Sequence, residues 1–278
     1  MKLKIILLIV LATLQLSAVS QKSVEFYVKQ YMEKKMHSPV EKIETLSTYP
    51  IKGTQGWKVY FLSLKVNIKM GTVYRKKTVY QTVFGKGKRI AFSLKDKDGK
   101  AYSKILKPRV PQSAYDKAHL LVGNEDATHK ILIMTDPFCP FCQEITPPII
   151  ETVRAYPDTF ALYYYHLPLL RIHPASDIVT KAMHYFHTQG NVKALKECYH
   201  LLVSERERNP QVILKAIKAR TGITLTEAMI NTQEIKQALA YDKAMKKHLM
   251  VSGTPTIFLD GQWDPSRFMY KKYIPKNN

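Results

Sequence analysis

Apolar residues at helical spacing open the pattern of the chain. Val24, Tyr27, Val28, Tyr31 and Met32 fall on one face of residues 22–36 and predict an amphipathic helix. A stretch punctuated by Pro and Gly follows. Residues 57–70 and 72–84 then alternate, with Val59, Phe61 and Val73 in phase, and predict two strands joined by a turn at Gly71. Residues 89–94 predict a further strand, closed by Lys97-Asp98-Gly99. These elements make a small α+β domain with no catalytic constellation. Lys107-Pro108-Arg109-Val110-Pro111 breaks the pattern, and residues 113–121 are helix-capable, so 108–122 reads as a helical linker.

The second half changes character. Residues 130–135 contain the apolar run 131–134 and predict a strand, followed by a helix to Ala155 kinked at Pro147 and Pro148 and a strand at 160–166. From 174 to 250 almost everything reads as helix. Ile178, Ala182, Tyr185 and Phe186 form one stripe ending at Gly190, and Val192, Leu195, Tyr199 and Leu202 form the next. Asn209-Pro210 starts a third helix with Gly222 as its C-cap. Asn231 with Glu234 starts a fourth, carrying Ile235, Leu239, Met245 and Leu249. A strand at 256–259, a turn at Asp260-Gly261 and an aromatic, basic tail close the chain.

The first twenty residues differ from the rest. Lys2 and Lys4 precede an apolar stretch from Ile5 to Leu16, and Ala18-Val19-Ser20 supplies small residues before Gln21. This is the pattern of a secretory signal peptide, too short to span a bilayer, and it predicts an exported, periplasmic chain in a compartment where disulfides persist. The expected organisation is therefore a leader at 1–20, a domain at 21–107, a linker at 108–122 and a second domain at 123–278 with a helical insert at about 174–250. The chain has 43 Lys and Arg against 22 Asp and Glu, and removing Lys2 and Lys4 still leaves an excess of 19 positive charges. The lysines are scattered rather than gathered on one helix or interleaved with stacking aromatics. The charge therefore reads as a solvated basic surface and not as a nucleic-acid site.

The candidate chemistry sits at Cys139-Pro140-Phe141-Cys142, directly after a predicted strand and at the start of a predicted helix. The first N–H groups of a helix are unpaired and carry the positive end of its dipole, so a thiolate on Cys139 is stabilised where it forms. Cys142 is then placed to resolve a mixed disulfide formed on Cys139. Only three cysteines exist, and no second C-x-x-C or C-x-x-H completes a tetrahedral zinc site. Cys198 reads as a small buried hydrophobe. His184 and His187 share a helix face but have no third ligand near them in sequence, and read as surface residues. His173-Pro174 reads as a turn. No phosphate loop or cofactor fingerprint is present, so neither metal nor cofactor is expected.

The order strand, C-x-x-C helix, strand, helical insertion and Gly253-Thr254-Pro255-Thr256-Ile257-Phe258 is that of a thioredoxin fold with a helical insert. The stretch from Asp136 to Cys142, with Val251-Ser252-Gly253-Thr254-Pro255, resembles the periplasmic thiol:disulfide interchange proteins of the DsbC/DsbG type. That resemblance implies an N-terminal α+β dimerisation domain, a helical linker and a C-terminal thioredoxin domain bearing the active cysteines. It also implies a homodimer whose cleft takes misfolded or cysteine-oxidised exported proteins, and a DsbD- or DsbB-like membrane redox partner. Pro140 brings the motif nearer to DsbG and to the oxidase DsbA than to DsbC. The resemblance implies a cis bond at Thr254-Pro255, with Thr254 and Pro255 holding the substrate backbone and Phe138 and Phe141 offering an apolar surface beside Pro140. Ile133 stands where thioredoxins carry a buried acid. Proton transfer at Cys142 then falls to water or to Asp136, although Asp136 itself reads as a solvated turn residue. Two alternatives stay open: a DsbA-like oxidase that donates disulfides, and a holdase chaperone whose thiols are secondary.

Overall fold

The computed structural model describes residues 19–70 and 73–275, so the expected leader up to residue 18 and the Gly71 turn lie outside the described residues. The chain divides into two compact units, Met1–Ser103 and Lys104–Asn278.

In the first unit, helix α1 (Gln21–Lys34) is capped by Ser20, whose Oγ accepts the Ser23 N–H at 3.1 Å. Val24 and Val28, one turn apart, are fully buried and meet Tyr60, Leu62, Leu64, Val66 and Val83. Those residues belong to an antiparallel sheet of order β1 (Val40–Pro50), β2 (Lys58–Met70), β3 (Val73–Lys86) and β4 (Arg89–Ala91). Strand β1 lies in the stretch expected to be irregular. It is an edge strand whose side chains are mostly polar and either exposed or half-buried, with two register shifts against β2, and so it gives no clean alternation. A short helix α2 (Tyr102–Ile105) follows.

The second unit is built on a five-stranded mixed sheet. Its order is β5 (Leu120–Gly123), β7 (Phe160–His166), β6 (His129–Thr135), β8 (Thr256–Leu259) and β9 (Gln262–Asp264). Only β6 and β7 are parallel, and α3 (Pro140–Ala155) makes the crossover between them. Between β7 and β8 lie α4 (Ser176–Thr188), α5 (Val192–Glu197), α6 (Pro210–Thr221), α7 (Glu227–Ile230) and α8 (Gln233–His248). Alternation along β6 and β7 divides the core into two layers. Ile131, Ile133, Phe160, Leu162 and Tyr164 face α3 and the helices from α4 to α6, whereas Leu132, Met134, Tyr163 and Tyr165 face Met245, Leu249 and Ala114.

Two expectations are corrected here. Residues 113–121 are not helical: a 3-10 turn at Gln112–Ala114 leads through a loop into β5. The Val110 N–H donates to the Gly261 carbonyl at 3.0 Å, the Tyr165 hydroxyl donates to the Ala114 carbonyl at 2.8 Å, and the Tyr164 N–H donates to the His119 carbonyl at 2.8 Å. Sheet-forming and side-chain partners outweigh local helix propensity, and they bind this part of 108–122 to the second unit. Strand β5 ends at Gly123, where φ is +90° and a Cβ would stand 2.1 Å from the Phe160 carbonyl, so only glycine fits. The last insert helix is capped by Thr232, whose Oγ1 accepts the Ile235 N–H, rather than by Asn231.

Candidate active site

Strand β6 delivers the chain at Thr135 into the turn Asp136-Pro137-Phe138, and Cys139 becomes the N-cap of α3 with extended backbone. The Cys139 carbonyl accepts the N–H of Cys142 at 2.8 Å and of Gln143 at 3.0 Å, and Pro140 occupies the first helical position, where a missing N–H costs nothing. The turn is held by Asp136, which is fully buried. Its Oδ1 accepts the Phe138 N–H at 2.8 Å and the Ser176 hydroxyl at 2.9 Å, its Oδ2 accepts the Leu169 N–H at 2.6 Å, and His173 Nδ1 lies 3.2 Å from Oδ1. The expectation of a solvated turn aspartate is therefore wrong. Asp136 fastens the cysteine-bearing turn to the segment between β7 and α4, a job that needs an acceptor with several lone pairs and no competing water.

The two thiols are free and unequal. Cys139 keeps 7 % of its surface exposed and Cys142 none. The Cys142 thiol donates to the Cys139 sulfur, and together with the Thr254 hydroxyl and the N–H groups of Cys142 and Phe141 this outweighs burial and draws the Cys139 pKa down to about 5. Burial, then the neighbouring Cys139 sulfur, pushes the Cys142 thiol far up. One sulfur is thus a ready nucleophile at neutral pH and the other stays protonated.

The Thr254-Pro255 bond is cis. The Thr254 carbonyl lies 3.5 Å from Cys139 Sγ, and its buried hydroxyl, which has no hydrogen-bond partner, is left to stabilise charge on the same sulfur. Four sequence-predicted residues, Cys139, Cys142, Thr254 and Pro255, therefore converge. Pro140 and Phe141 are exposed beside them, and the Arg267 guanidinium stands 5.5 Å above the Phe141 ring. Phe138 does not share that surface. It is 8 % exposed and packs into the core with Cys142 and Ile145, because its N–H bond to Asp136 turns the chain inward.

Behind Cys142 the sequence reading missed a set of buried hydroxyls. Thr135 Oγ1 is hydrogen-bonded to Cys142 Sγ and lies 2.8 Å from the Tyr199 hydroxyl and 3.2 Å from Thr146 Oγ1, and the Tyr199 and Tyr164 hydroxyls are 2.5 Å apart. Tyr199 appears in the sequence only as part of a helical stripe, and nothing local announces its polar tip. Ile133, at the position of the thioredoxin acid, is apolar and fully buried. Cys198 is buried, as expected, and burial raises its pKa. His184 and His187 are not surface residues. They are half-buried beside the fully packed His166, and burial lowers the pKa of all three. Among the described residues no three His, Cys, Asp or Glu side chains converge to hold a metal ion, and no helix is long and apolar enough to cross a membrane.

The sequence pattern of the family described as thioredoxin matches residues 116–266, which cover the whole mixed α/β sheet and both halves of the site. Comparison with curated proteins gives no match. Among solved structures, a thioredoxin-like oxidoreductase from Silicibacter pomeroyi is 21 % identical, with a TM-score of 0.47 over 56 % of this chain and 89 % of its own. The catalytic domain of ScsC from Proteus mirabilis is 19 % identical, with a TM-score of 0.47 over 59 % of this chain and 94 % of its own. BdbD from Bacillus subtilis, in its oxidised form, is 13 % identical, with a TM-score of 0.47 over 60 % of this chain and 92 % of its own.

Proposed function

The chain belongs to the thioredoxin family, and from that premise we propose that it is a thiol–disulfide oxidoreductase that isomerises or reduces disulfides, or oxidised cysteines, in exported proteins. One observation carries the reading: a Cys139 sulfur with its pKa drawn down to about 5 at a helix N-cap, touching a protonated Cys142 on one side and the Thr254 loop on the other. Cys139 attacks a client disulfide and holds one client sulfur as a mixed disulfide. Cys142 resolves it, or the client's own thiol does, which completes an isomerisation. Thr254 and Pro255 hold the client backbone beside the sulfur, and Phe141 with Pro140 offers the apolar edge that exposed client segments can meet.

The proposal extends to the rest of the molecule. The first unit serves as a dimerisation arm in the manner of the DsbC/DsbG type. Support comes from the turn end of the β2–β3 hairpin, where Val73 and Tyr74 are 58 % and 56 % exposed, an apolar patch that a second copy would cover. The compartment is the periplasm, and a membrane thiol reductant keeps the cysteine pair reduced. The test is reactivation of ribonuclease carrying scrambled disulfides, using the full-length chain and its Cys139→Ser variant, with sedimentation of the same samples. Wild type should reactivate the client as a dimer and the variant should not. Activity only in oxidising a fully reduced client, by a monomer, would replace this reading with a DsbA-like oxidase.

A further inference from the structure

The resolving step poses a problem that this chain answers in its own way. Cys142 is sealed from solvent and burial holds its proton on, yet its sulfur must develop negative charge as it attacks. Ile133 supplies no acid or base at the position where thioredoxins carry one. Two groups do touch the sulfur: the Asp136 N–H at 3.5 Å and the Thr135 hydroxyl. Thr135 is the near end of a chain that runs through Tyr199 to Tyr164, with Thr146 as a side branch. None of these four residues is more than 1 % exposed.

Packing alone does not call for these hydroxyls, since Val at 135 and Phe at 199 or 164 would fill nearly the same volume without polar atoms to satisfy. A hydroxyl both donates and accepts and can rotate between the two. At rest the Cys142 proton points at Cys139, so the Thr135 hydroxyl is free to donate to the Cys142 sulfur, and each hydroxyl behind it can turn its proton the same way as the thiolate forms. Each donor polarises the next in a dry environment.

Resting on the oxidoreductase reading above, we propose that the Thr135–Tyr199–Tyr164 hydroxyl chain is the positioning and charge-stabilising device for Cys142 in the resolving step, taking the place of a buried carboxylate. In that step the Cys142 sulfur pair forms the bond to Cys139 Sγ. The bond between Cys139 Sγ and the client sulfur breaks, and its electron pair leaves on the client sulfur. The proton lost by Cys142 is balanced by the one gained by that departing sulfur, which ends as a thiol. The cysteine pair is oxidised to a disulfide and the client sulfurs are reduced. Tyr199 comes from the helical insert, so the insert acts on the chemistry through this contact.

The experiment mixes the reduced full-length protein with an aryl disulfide, dithiobis(nitrobenzoate), which releases one coloured thiol when Cys139 attacks and a second when Cys142 resolves. Thr135→Val should leave the first phase within about twofold of wild type and slow the second by about tenfold, the scale of losing one hydrogen bond to a developing charge. Tyr199→Phe should slow the second phase in the same direction, and it carries the test if Thr135→Val fails to fold. Thr135→Ser, which keeps the hydroxyl and loses a methyl, should resolve near the wild-type rate. A second phase at wild-type rate in both Thr135→Val and Tyr199→Phe would overturn the proposal, and so would a Thr135→Ser as slow as the valine variant. Loss of the first phase in wild type would instead overturn the oxidoreductase reading on which the proposal rests.

Discussion

Asp136→Ala should be among the most damaging single changes outside the cysteines. The carboxylate is fully buried and accepts two backbone N–H groups, from Phe138 and Leu169, and the Ser176 hydroxyl, all at 2.6–2.9 Å. Alanine leaves three donors without an acceptor in a place water does not reach. Each buried unsatisfied group costs about 1–3 kcal/mol, so a loss of about 3–6 kcal/mol is expected after some local relaxation. That is a large part of the roughly 5–15 kcal/mol that holds a typical domain together. Asp136→Asn should cost less, about 1–3 kcal/mol, because one oxygen survives for two of the donors while the new NH₂ faces the third. Urea unfolding followed by far-UV circular dichroism reads both, with the slope checked for constancy. The Phe138 N–H bond also sets the turn into Cys139, so thiol reactivity should fall in parallel. An Asp136→Ala protein within about 1 kcal/mol of wild type, with Cys139 equally reactive, would refute the view that this carboxylate fastens the turn.

Thr254→Val removes a hydroxyl that stabilises the Cys139 thiolate, and hence the reduced form. The potential measured against glutathione should become more negative by roughly 30 mV, the equivalent of about 1.4 kcal/mol, and an unchanged potential would take the hydroxyl out of the site. His166, His184 and His187 have folded pKa values depressed by burial, that of His184 to about 4, so the stability they contribute is full above the unfolded value of about 6.5 and is lost as the pH falls toward 4. Thermal melting between those limits should show this loss, and His184→Gln should flatten the profile.

What could be read from the sequence was what is local. The cysteine pair, its place at a helix start and the Thr254-Pro255 loop each occupy a few consecutive residues whose chemistry is set by their neighbours in the chain. Asp136 was visible as a residue but not as a hub, because its partners at 169, 173 and 176 come from a segment on the far side of β7. The hydroxyl chain was invisible for the same reason: residues 135, 164 and 199 meet only once the sheet and the insert have formed. Strand β1 was missed because an edge strand with polar side chains lacks the period-two signal. The misreading of 113–121 shows tertiary partners overriding helix propensity.

At neutral pH Cys139 is held as a thiolate and Cys142 as a thiol. The most direct test is the alkylation rate of the reduced full-length protein from about pH 4 to pH 9, with the modified cysteine identified by mass spectrometry. Modification should fall on Cys139 alone, with a midpoint near 5, and the midpoint should shift upward in Cys142→Ala because the largest stabilising hydrogen bond is lost. A midpoint at the free-cysteine value of about 8.5, or equal labelling of Cys142, would contradict it.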